Sequence, residues 1–591
     1  MDATPGPSFA MKTSLFYSKD KQQMQDPEFL PNNDENSETS DDDEEVEDST
    51  VVLEIIIDGK NPAPEQPEYH RKKKRCLYWN HIQNRNSPGT TPNFENKEEE
   101  EEELHLLNPI DYFRKFISSD ILDLLVEQSN LYAVQCDPGK PLKVTKSQME
   151  QWLGLCLHMS LSKLPYTRLH WSGLDETVAS IMSRDRWEQI KSKLHLVDNT
   201  TYDGTDKVFK VRPLIDHLRN SFRQTPMLEN LCVDEQMVPF KGNSGLKQYI
   251  PKKPHKWRYK LFVLSDHKGY VYDFFPYTGK ISPVDNANVP DLKPSANTVL
   301  QLAECIPNFK NHKLYFDNWF TAFPLIEHLA TRGLWCCGTV QPRRLSNVTF
   351  KLDKQLTVQG RGSYDEWETH SEGVKVTAVK WMDKRSVHLA STFLNSFPMD
   401  KCVRYDKKVR EKVEVPRPNI VKQYNMYMGG VDLCDQMISY YRTFFGSKKY
   451  YHRLFFHLID LAVVNSWMLY RRDAESLKVK QQSQLPHCEF KYKLANSLMM
   501  SGKTMSRERG RPSTSVEKAF TDKKKVDRAT KPIPDKDIRG DSVGHFPASS
   551  TSRAKCKLPG CNGKVHMTCI KCNVHLCCDT KRNCFLTFHT K

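Results

Sequence analysis

Three aspartates in this chain stand where strand ends and a helix start can bring carboxylates together. Asp234 follows the apolar run Leu231-Cys232-Val233 and opens the string Asp-Glu-Gln-Met. Asp317 closes a second apolar run, Lys313–Phe316, inside Tyr-Phe-Asp-Asn-Trp-Phe. Asp432 lies in Met-Gly-Gly-Val-Asp-Leu-Cys-Asp-Gln-Met, where Gly429 and Gly430 permit a sharp turn into a helix that carries Asp432 and Asp435 on one face. Hard oxygen ligands of this kind suit Mg²⁺. Two such ions activate a water or a 3′-hydroxyl and stabilise the leaving oxygen of an in-line phosphoryl displacement. Taken singly, each aspartate reads first as an ordinary cap. Three together, in one sheet-and-helix unit, turn the reading toward catalysis.

A second cluster lies at the other extreme of ligand softness. The last 36 residues hold seven of the 17 cysteines: Cys556, Cys561, Cys569, Cys572, Cys577, Cys578 and Cys584. His566, His575 and His589 are interleaved with them, and His545 lies eleven residues upstream of Cys556. That is enough for two tetrahedral Zn²⁺ sites in a segment too short to bury a core of its own. The gap between Cys556 and Cys561 is longer than the common two-residue spacing, and Cys578 competes with Cys577. The other ten cysteines are scattered without framework spacing, so the expectation is a reducing, intracellular protein rather than a disulfide scaffold.

The charge distribution names a class of partner. The net charge of +14 divides into −14 over residues 1–105 and +28 over the remainder. A body that basic suits a polyanion, nucleic acid first. One basic strip, Lys247, Lys252, Lys253, Lys256 and Arg258, has Tyr249 and Trp257 interleaved and follows the first aspartate, a composition that suits phosphate contacts. Its plainer alternative is a set of solvated strand charges. No apolar run approaches the ~18 residues needed to span a bilayer.

The elements that must position these residues follow from the hydrophobic period. Residues 1–104 are acidic and polar, with six glutamates at 98–103, and are expected to be disordered. Arg71–Arg75 within them is a basic run of nuclear-import type. Helical spacing marks 109–125, 147–161, 184–196 and 211–222, with a capping box expected at Ser147 and Glu150. Beyond Leu231 the pattern becomes β-β-β-α-β-α-β, with acids at strand ends, the mark of an α/β sheet. Residues 344–418 read as an inserted β subdomain with a hairpin of 375–381 against 387–393. Helices return at 431–445 and 451–470, and 506–539 is a basic, Pro-containing linker.

Beyond these patterns, the strings CVDEQMVPFKG (232–242), QYIPKKPHKWRYKLF (248–262), YFDNWFT (315–321), CGTV (337–340), AVKWMDKR (378–385) and YMGGVDLCDQMISYYR (427–442) resemble the piggyBac family of DDE/D transposases and their domesticated derivatives. The likeness runs in order over about residues 105–591. It implies an RNase H-like α/β core, 230–343 with 419–441, whose catalytic aspartates match Asp234, Asp317 and Asp432, with Asp435 as a further acid that orients the metal site. It implies an insertion domain at 344–418 and a split helical dimerisation and DNA-binding region at 105–229 and 442–505. After a linker at 506–544 it implies a cross-brace zinc module at 545–591, with the ligand set His545, Cys556, Cys561, Cys569, Cys572, Cys577, Cys584 and His589. The activity so implied is Mg²⁺-dependent cut-and-paste transposition of double-stranded DNA through hairpin ends at TTAA targets, by a nuclear homodimer. The basic runs, Arg71–Arg75 and its competitor Lys523–Lys525, suit a nuclear import receptor. The alternative is a catalytically silent, domesticated DNA-binding or chromatin protein of the same fold.

Overall fold

The computed structural model describes residues 77–95, 105–251, 256–286, 289–406, 410–502, 533–534 and 539–590. They fall into two compact units, 1–503 and 504–591.

In the first unit six helices precede most of the sheet: α1 (Pro109–Arg114), α2 (Ser119–Cys136), α3 (Lys146–Ser162), α4 (Glu176–Ile181), α5 (Arg184–Lys193) and α6 (Arg212–Arg223). The single helix expected over 109–125 is two, because Ser118 adopts extended backbone (ψ 170°) and starts a new helix. The capping box expected at Ser147 and Glu150 does not form. Thr145 is the cap, its hydroxyl accepting the Gln148 N–H at 3.3 Å. Glu150 is buried and accepts from Arg114 at 3.2 Å. The helical core is built on large aromatics: Trp187 touches Trp152, Trp171 and Phe445 with ring centroids 5.0–6.2 Å apart. Each such fully buried ring contributes on the order of 2–3 kcal/mol.

The sheet starts at β2 (Asn230–Pro239), the strand of Asp234, and continues through β3 (Gln248–Tyr249), β4 (Trp257–Asp266) and β5 (Val271–Pro276). After α7 (Pro294–Ala303) come β6 (Lys313–Phe316), α8 (Phe323–Thr331) and β7 (Trp335–Thr339). β2, β6 and β7 are mutually parallel neighbours, while β4 pairs antiparallel with both β2 and β5. The parallel trio is buried on both faces, which is why those strands read as unbroken apolar runs.

Residues 344–418 contribute α9 (Asp353–Gln359), β8 (Tyr364–Ser371), β9 (Val374–Met382) and β10 (Ser386–Ser391), then β11 (Asp400–Asp406) and β12 (Glu411–Arg417). β10 pairs with β7, so the order β8-β9-β10-β7-β6-β2-β4-β3 is one continuous sheet. The first part of the segment read as an inserted subdomain therefore extends the central sheet. β11 and β12 form a separate hairpin.

Disorder expected throughout 1–104 does not hold for residues 77–95. Strand β1 (Asn80–Ile82) pairs antiparallel with β8 at the sheet edge, Leu77 is buried, and Trp79 meets Phe323 edge-on at 6.3 Å. Arg85 grips Glu366 (2.9 Å) and Glu368 (2.6 Å). Pairing to a preformed edge and two ion pairs offset the ordering entropy that composition alone leaves uncompensated. The run Arg71–Arg75 lies outside the described residues.

The unit closes with α10 (Asn419–Tyr427), α11 (Gly430–Tyr440), α12 (Tyr450–Ser476) and α13 (His487–Met499). The helix expected over 431–445 stops at Tyr440. α12 is buried along nearly its whole length, and no described helix is long and apolar enough to cross a membrane. The second unit is small: a hairpin of β13 (Pro547–Lys555) and β14 (Lys564–Cys569), then α14 (Cys584–Thr590), around a core made largely of cysteines with Val574, Leu576 and Phe588.

Candidate active site and metal clusters

Register places the first two aspartates. Val233 of β2 stands opposite Phe316 of β6, and Phe316 opposite Gly338 of β7. The next residues, Asp234, Asp317 and Thr339, leave three parallel strands at one level, and side chains at one level of parallel strands share a face. The third aspartate arrives on α11. A Cβ on Gly430 would meet the Asp266 carbonyl, Cys232 Sγ and Ser265 Oγ, so only glycine lets the helix lie this close to β2 and β4. Gly429, by contrast, has open space around it. Farther along α11, Cys434 Sγ sits 4.0 Å from the Gln236 amide. The helix thus runs beside β2, and Asp432, in its first turn, lies near enough for its charge to act on Asp234.

The charges register that convergence. Burial pushes the Asp234 carboxyl well above the usual carboxylate range, and the charges of Asp317 and Asp432 push it further. Burial raises Asp317 to about 6, against the Trp319 N–H that donates to its Oδ1 at 2.9 Å. Asp432 itself is exposed, which leaves the group open to a large ligand. Hard, half-buried carboxylates that repel one another are a fitting cradle for a divalent cation, which would relieve the repulsion. They are more loosely gathered than the cysteine clusters. Among the described residues, only the C-terminal clusters bring four such His, Cys, Asp or Glu ligand atoms within 4.8 Å of one another.

Asp435 belongs to a neighbouring environment. Burial raises it to about 6, opposed chiefly by the Arg442 charge, and it lies against Gln236 and Met237 of β2. Gln236 is fully buried and accepts from His457 of α12 at 2.8 Å, so α12 braces the strand from behind.

In the second unit eight side chains that could hold a metal ion form two groups. His545, Cys569, Cys572 and His589 make one, and Cys556, Cys561, Cys577 and Cys584 the other. Their chain order interleaves, so each site ties together distant parts of the segment. Tetrahedral Zn²⁺ with bonds of about 2.0–2.3 Å sets ligand atoms about 3.3–3.8 Å apart. Observed separations are 3.4 Å for His545 Nδ1 to Cys572 Sγ, 3.5 Å for Cys572 Sγ to His589 Nε2, and 3.6–3.7 Å among Cys561, Cys577 and Cys584. The outer nitrogens are also engaged: His545 Nε2 faces Asp541 at 2.9 Å and His589 Nδ1 faces the Phe585 carbonyl at 2.7 Å, the partners that orient metal-binding imidazoles. His566 and His575 instead face the Ser550 and Ser552 carbonyls, and Cys578 is exposed.

The family model described as Transposase IS4 matches residues 108–467, more than half of the chain. The chain belongs to the piggyBac transposase family. The human PiggyBac transposable element-derived protein 3 is 28% identical over 490 residues, covering 82% of this chain and 76% of that protein. The human PiggyBac transposable element-derived protein 5 is 23% identical over 393 residues, 63% of this chain and 72% of that one. The cryo-EM structure of a piggyBac transposase synaptic complex with hairpin DNA aligns with a TM-score of 0.56 at 22% identity, covering 80% of this chain and 97% of that chain, a likeness of fold.

Within this piggyBac-type fold, the basic strip is only partly described. Lys252 and Lys253 lie outside the described residues. Lys247 packs over the exposed Trp257 ring at 4.5 Å, Tyr249 lies 4.8 Å from the same ring, and Lys256 is exposed. Arg258 turns toward Asp435 and Arg442. Sequence reasoning missed two residues at the aspartates. Tyr424 of α10 rests its hydroxyl 3.4 Å from Thr339 Oγ1 and feels the charges of Asp317 and Asp234. Arg344 donates to the carbonyls of Asn318, Trp319 and Thr321 at 2.6–3.1 Å, pinning the loop that leaves Asp317. Neither carries a local signal, since each acts through a fold contact distant in sequence.

Proposed function

We propose that this protein is a DDE/D-type DNA transposase, with an RNase H-like core in strands β2–β7 and Asp234, Asp317 and Asp432 as its catalytic residues. What supports the reading is that Asp234 and Asp317 leave neighbouring parallel strands at one level and that the Asp432 charge, from the first turn of α11, acts on Asp234. Mg²⁺ held there would activate a water or 3′-hydroxyl and offset charge on the leaving oxygen. The protein's own groups prepare that place. The Glu235 N–H fixes Asp234 Oδ1 at 2.7 Å, the Trp319 N–H fixes Asp317, and Arg344 stiffens the intervening loop. One site of this kind serves hydrolysis, hairpin formation and joining at TTAA, because each is a displacement at phosphorus with the same charge pattern. Asp435 orients the site from α11. The C-terminal module, folded around two Zn²⁺ ions, and the strip around Lys247 and Arg258 contact duplex DNA. The protein acts as a homodimer in the nucleus, imported through its basic runs.

The test uses a duplex ending in the inverted repeats that flank the coding region at TTAA. Wild-type protein should nick it and transfer the strand in Mg²⁺. Asp234→Asn and Asp317→Asn should bind it with near-normal affinity and cut nothing; cutting by either variant overturns the catalytic assignment. A second reading is favoured by the relatives' names, which are those of transposable element-derived proteins. In it the chain is a silent DNA-binding protein, and the wild type would bind the same duplex without nicking it.

A further inference from the structure

Alternate side chains of a strand share one face, and three in succession on β2 meet α11. A Cβ on Gly430 would stand 2.8 Å from Cys232 Sγ, and the Asp432 charge acts on Asp234. Two residues farther along the strand, the Gln236 amide nitrogen lies 4.0 Å from Cys434 Sγ with the Asp435 carboxyl beside it. The helix therefore follows the strand from its first residue to beyond Asp432. Gly430 anchors it at one end and Gln236 at the other, and Asp432 stands between the two anchors.

The second anchor works only if the amide points the right way. Gln236 is fully buried, so both ends of its amide must be satisfied within the protein. Its oxygen faces Nε2 of His457 on α12 at 2.8 Å. An amide oxygen only accepts, so Nε2 carries the hydrogen and donates it. Burial holds the His457 imidazole well below its usual range, and the Arg453 and Arg442 charges act in the same direction. The ring is thus neutral, with its one N–H committed to Gln236. That bond leaves the amide nitrogen as the end that faces α11. A reversed amide would set its nitrogen against the imidazole N–H and its oxygen against the Asp435 carboxyl. Asp435 Oδ1 is buried without a hydrogen-bond partner among the described residues, so the Gln236 amide and the Met237 N–H are the donors that β2 offers this carboxyl.

We propose that His457 is a positioning residue for the aspartate site: by donating to Gln236 it locks the amide in the orientation that receives α11, and so sets where Asp435 and Asp432 stand against β2. The assignment rests on the reading of Asp234, Asp317 and Asp432 as the seat of a divalent cation. His457 acts through Gln236 and takes no part in the chemistry itself.

The experiment compares full-length wild type with His457→Leu, His457→Asn and His457→Gln. Melting temperature is followed during a Mn²⁺ titration, and nicking kinetics are measured on the transposon-end duplex. Glutamine can place an amide N–H where the imidazole Nε2 stands, whereas asparagine reaches only to the place of Nδ1. His457→Leu and His457→Asn should each raise the Mn²⁺ midpoint and lower kcat by about 10-fold, the loss expected when an outer partner of a metal site is removed, with KM for the duplex unchanged. His457→Gln should restore both. Gln236→Met breaks the same bond from its other end and should lose as much, and combined with His457→Leu it should lose no more than either alone. It also carries the test if His457→Leu melts too low to assay. A folded His457→Leu protein with the wild-type midpoint and kcat overturns the proposal. Equal losses in His457→Gln overturn it too, since they would mark a packing role. A wild type that responds to Mn²⁺ without nicking sinks the functional reading alone, because the midpoints can still be compared. A wild type whose melting ignores Mn²⁺ removes the cation site and this proposal with it.

Discussion

A Cβ placed on Gly430 would stand 1.9 Å from the carbonyl oxygen of Asp266. That near-contact sets how closely α11 lies on the sheet, and hence where Asp432 stands relative to Asp234. Gly430→Ala must lift the start of α11, because the opposing atom is strand backbone and cannot swing away. Overpacking of this kind costs about 1–3 kcal/mol. The loss of activity should be larger: displacement of a catalytic group by about 1 Å costs on the order of 100-fold. Nicking rate and melting temperature, measured together, check the prediction. An active Gly430→Ala protein would show that the approach is not what positions Asp432.

Proton affinity at the aspartates gives a second handle. Asp317 is raised to about 6 and Asp234 lies well above its ordinary value, both through burial first. A carboxyl whose folded pKa is raised weakens the fold as it ionises. Without divalent cation the penalty is absent below about pH 4, grows as pH rises through about 6, and then persists. Asp317→Asn removes it, so at pH 7.5 the variant should melt a few degrees above wild type, at about 2–4 °C per kcal/mol. Added Mn²⁺ should stabilise wild type more at pH 7.5 than at pH 5, and should do little for the variant. Identical melting profiles for the two proteins across this range would refute the electrostatic account.

Much of this site was legible in the chain before any fold. Asp234 and Asp317 stand out because the preceding residues are buried on both faces, which leaves unbroken apolar runs ending in an acid. Asp432 stands out because two glycines precede it, although only Gly430 is needed for the close approach. What escaped was anything set by pairing over long separations. Tyr424 matters because β7 carries Thr339 to the level of Asp317. Glu150 looked like a cap residue and is a buried ion-pair partner, since helix spacing does not say which polar position faces a neighbouring arginine. The sheet's extension past β7 was hidden for the same reason: strand spacing shows a hairpin but not which edge it joins.

The paired tail cysteines separate by geometry where spacing left them open. Cys577 Sγ lies 3.7 Å from Cys561 Sγ, while Cys578 is exposed. Metal analysis of the purified protein should therefore find two zinc ions per chain in wild type and in Cys578→Ser. Cys577→Ser and Cys572→Ser should each retain about one, and their C-terminal units should lose protection from protease, because metal binding supplies most of the folding free energy of such a segment. Two zinc ions in Cys577→Ser would show that Cys578 is the ligand instead.

The strap at residues 77–95 can be tested through its buried partner. Glu366 is 1% exposed, and Arg85 holds it with Nε at 2.9 Å and also pairs with Glu368. Arg85→Ala leaves a buried carboxylate with its cation removed, and breaking a buried pair from one side costs about 3–5 kcal/mol. Replacing the acid as well should recover much of that loss, since Glu366→Gln removes the stranded charge and keeps the shape. Truncation discriminates further. A chain beginning at residue 77 should melt like the full protein, whereas one beginning at residue 96 exposes the β8 edge and should melt lower and aggregate more readily. If both truncations melted alike, β1 would be a passive neighbour of β8, and the order seen over residues 77–95 would add nothing to the stability of the first unit.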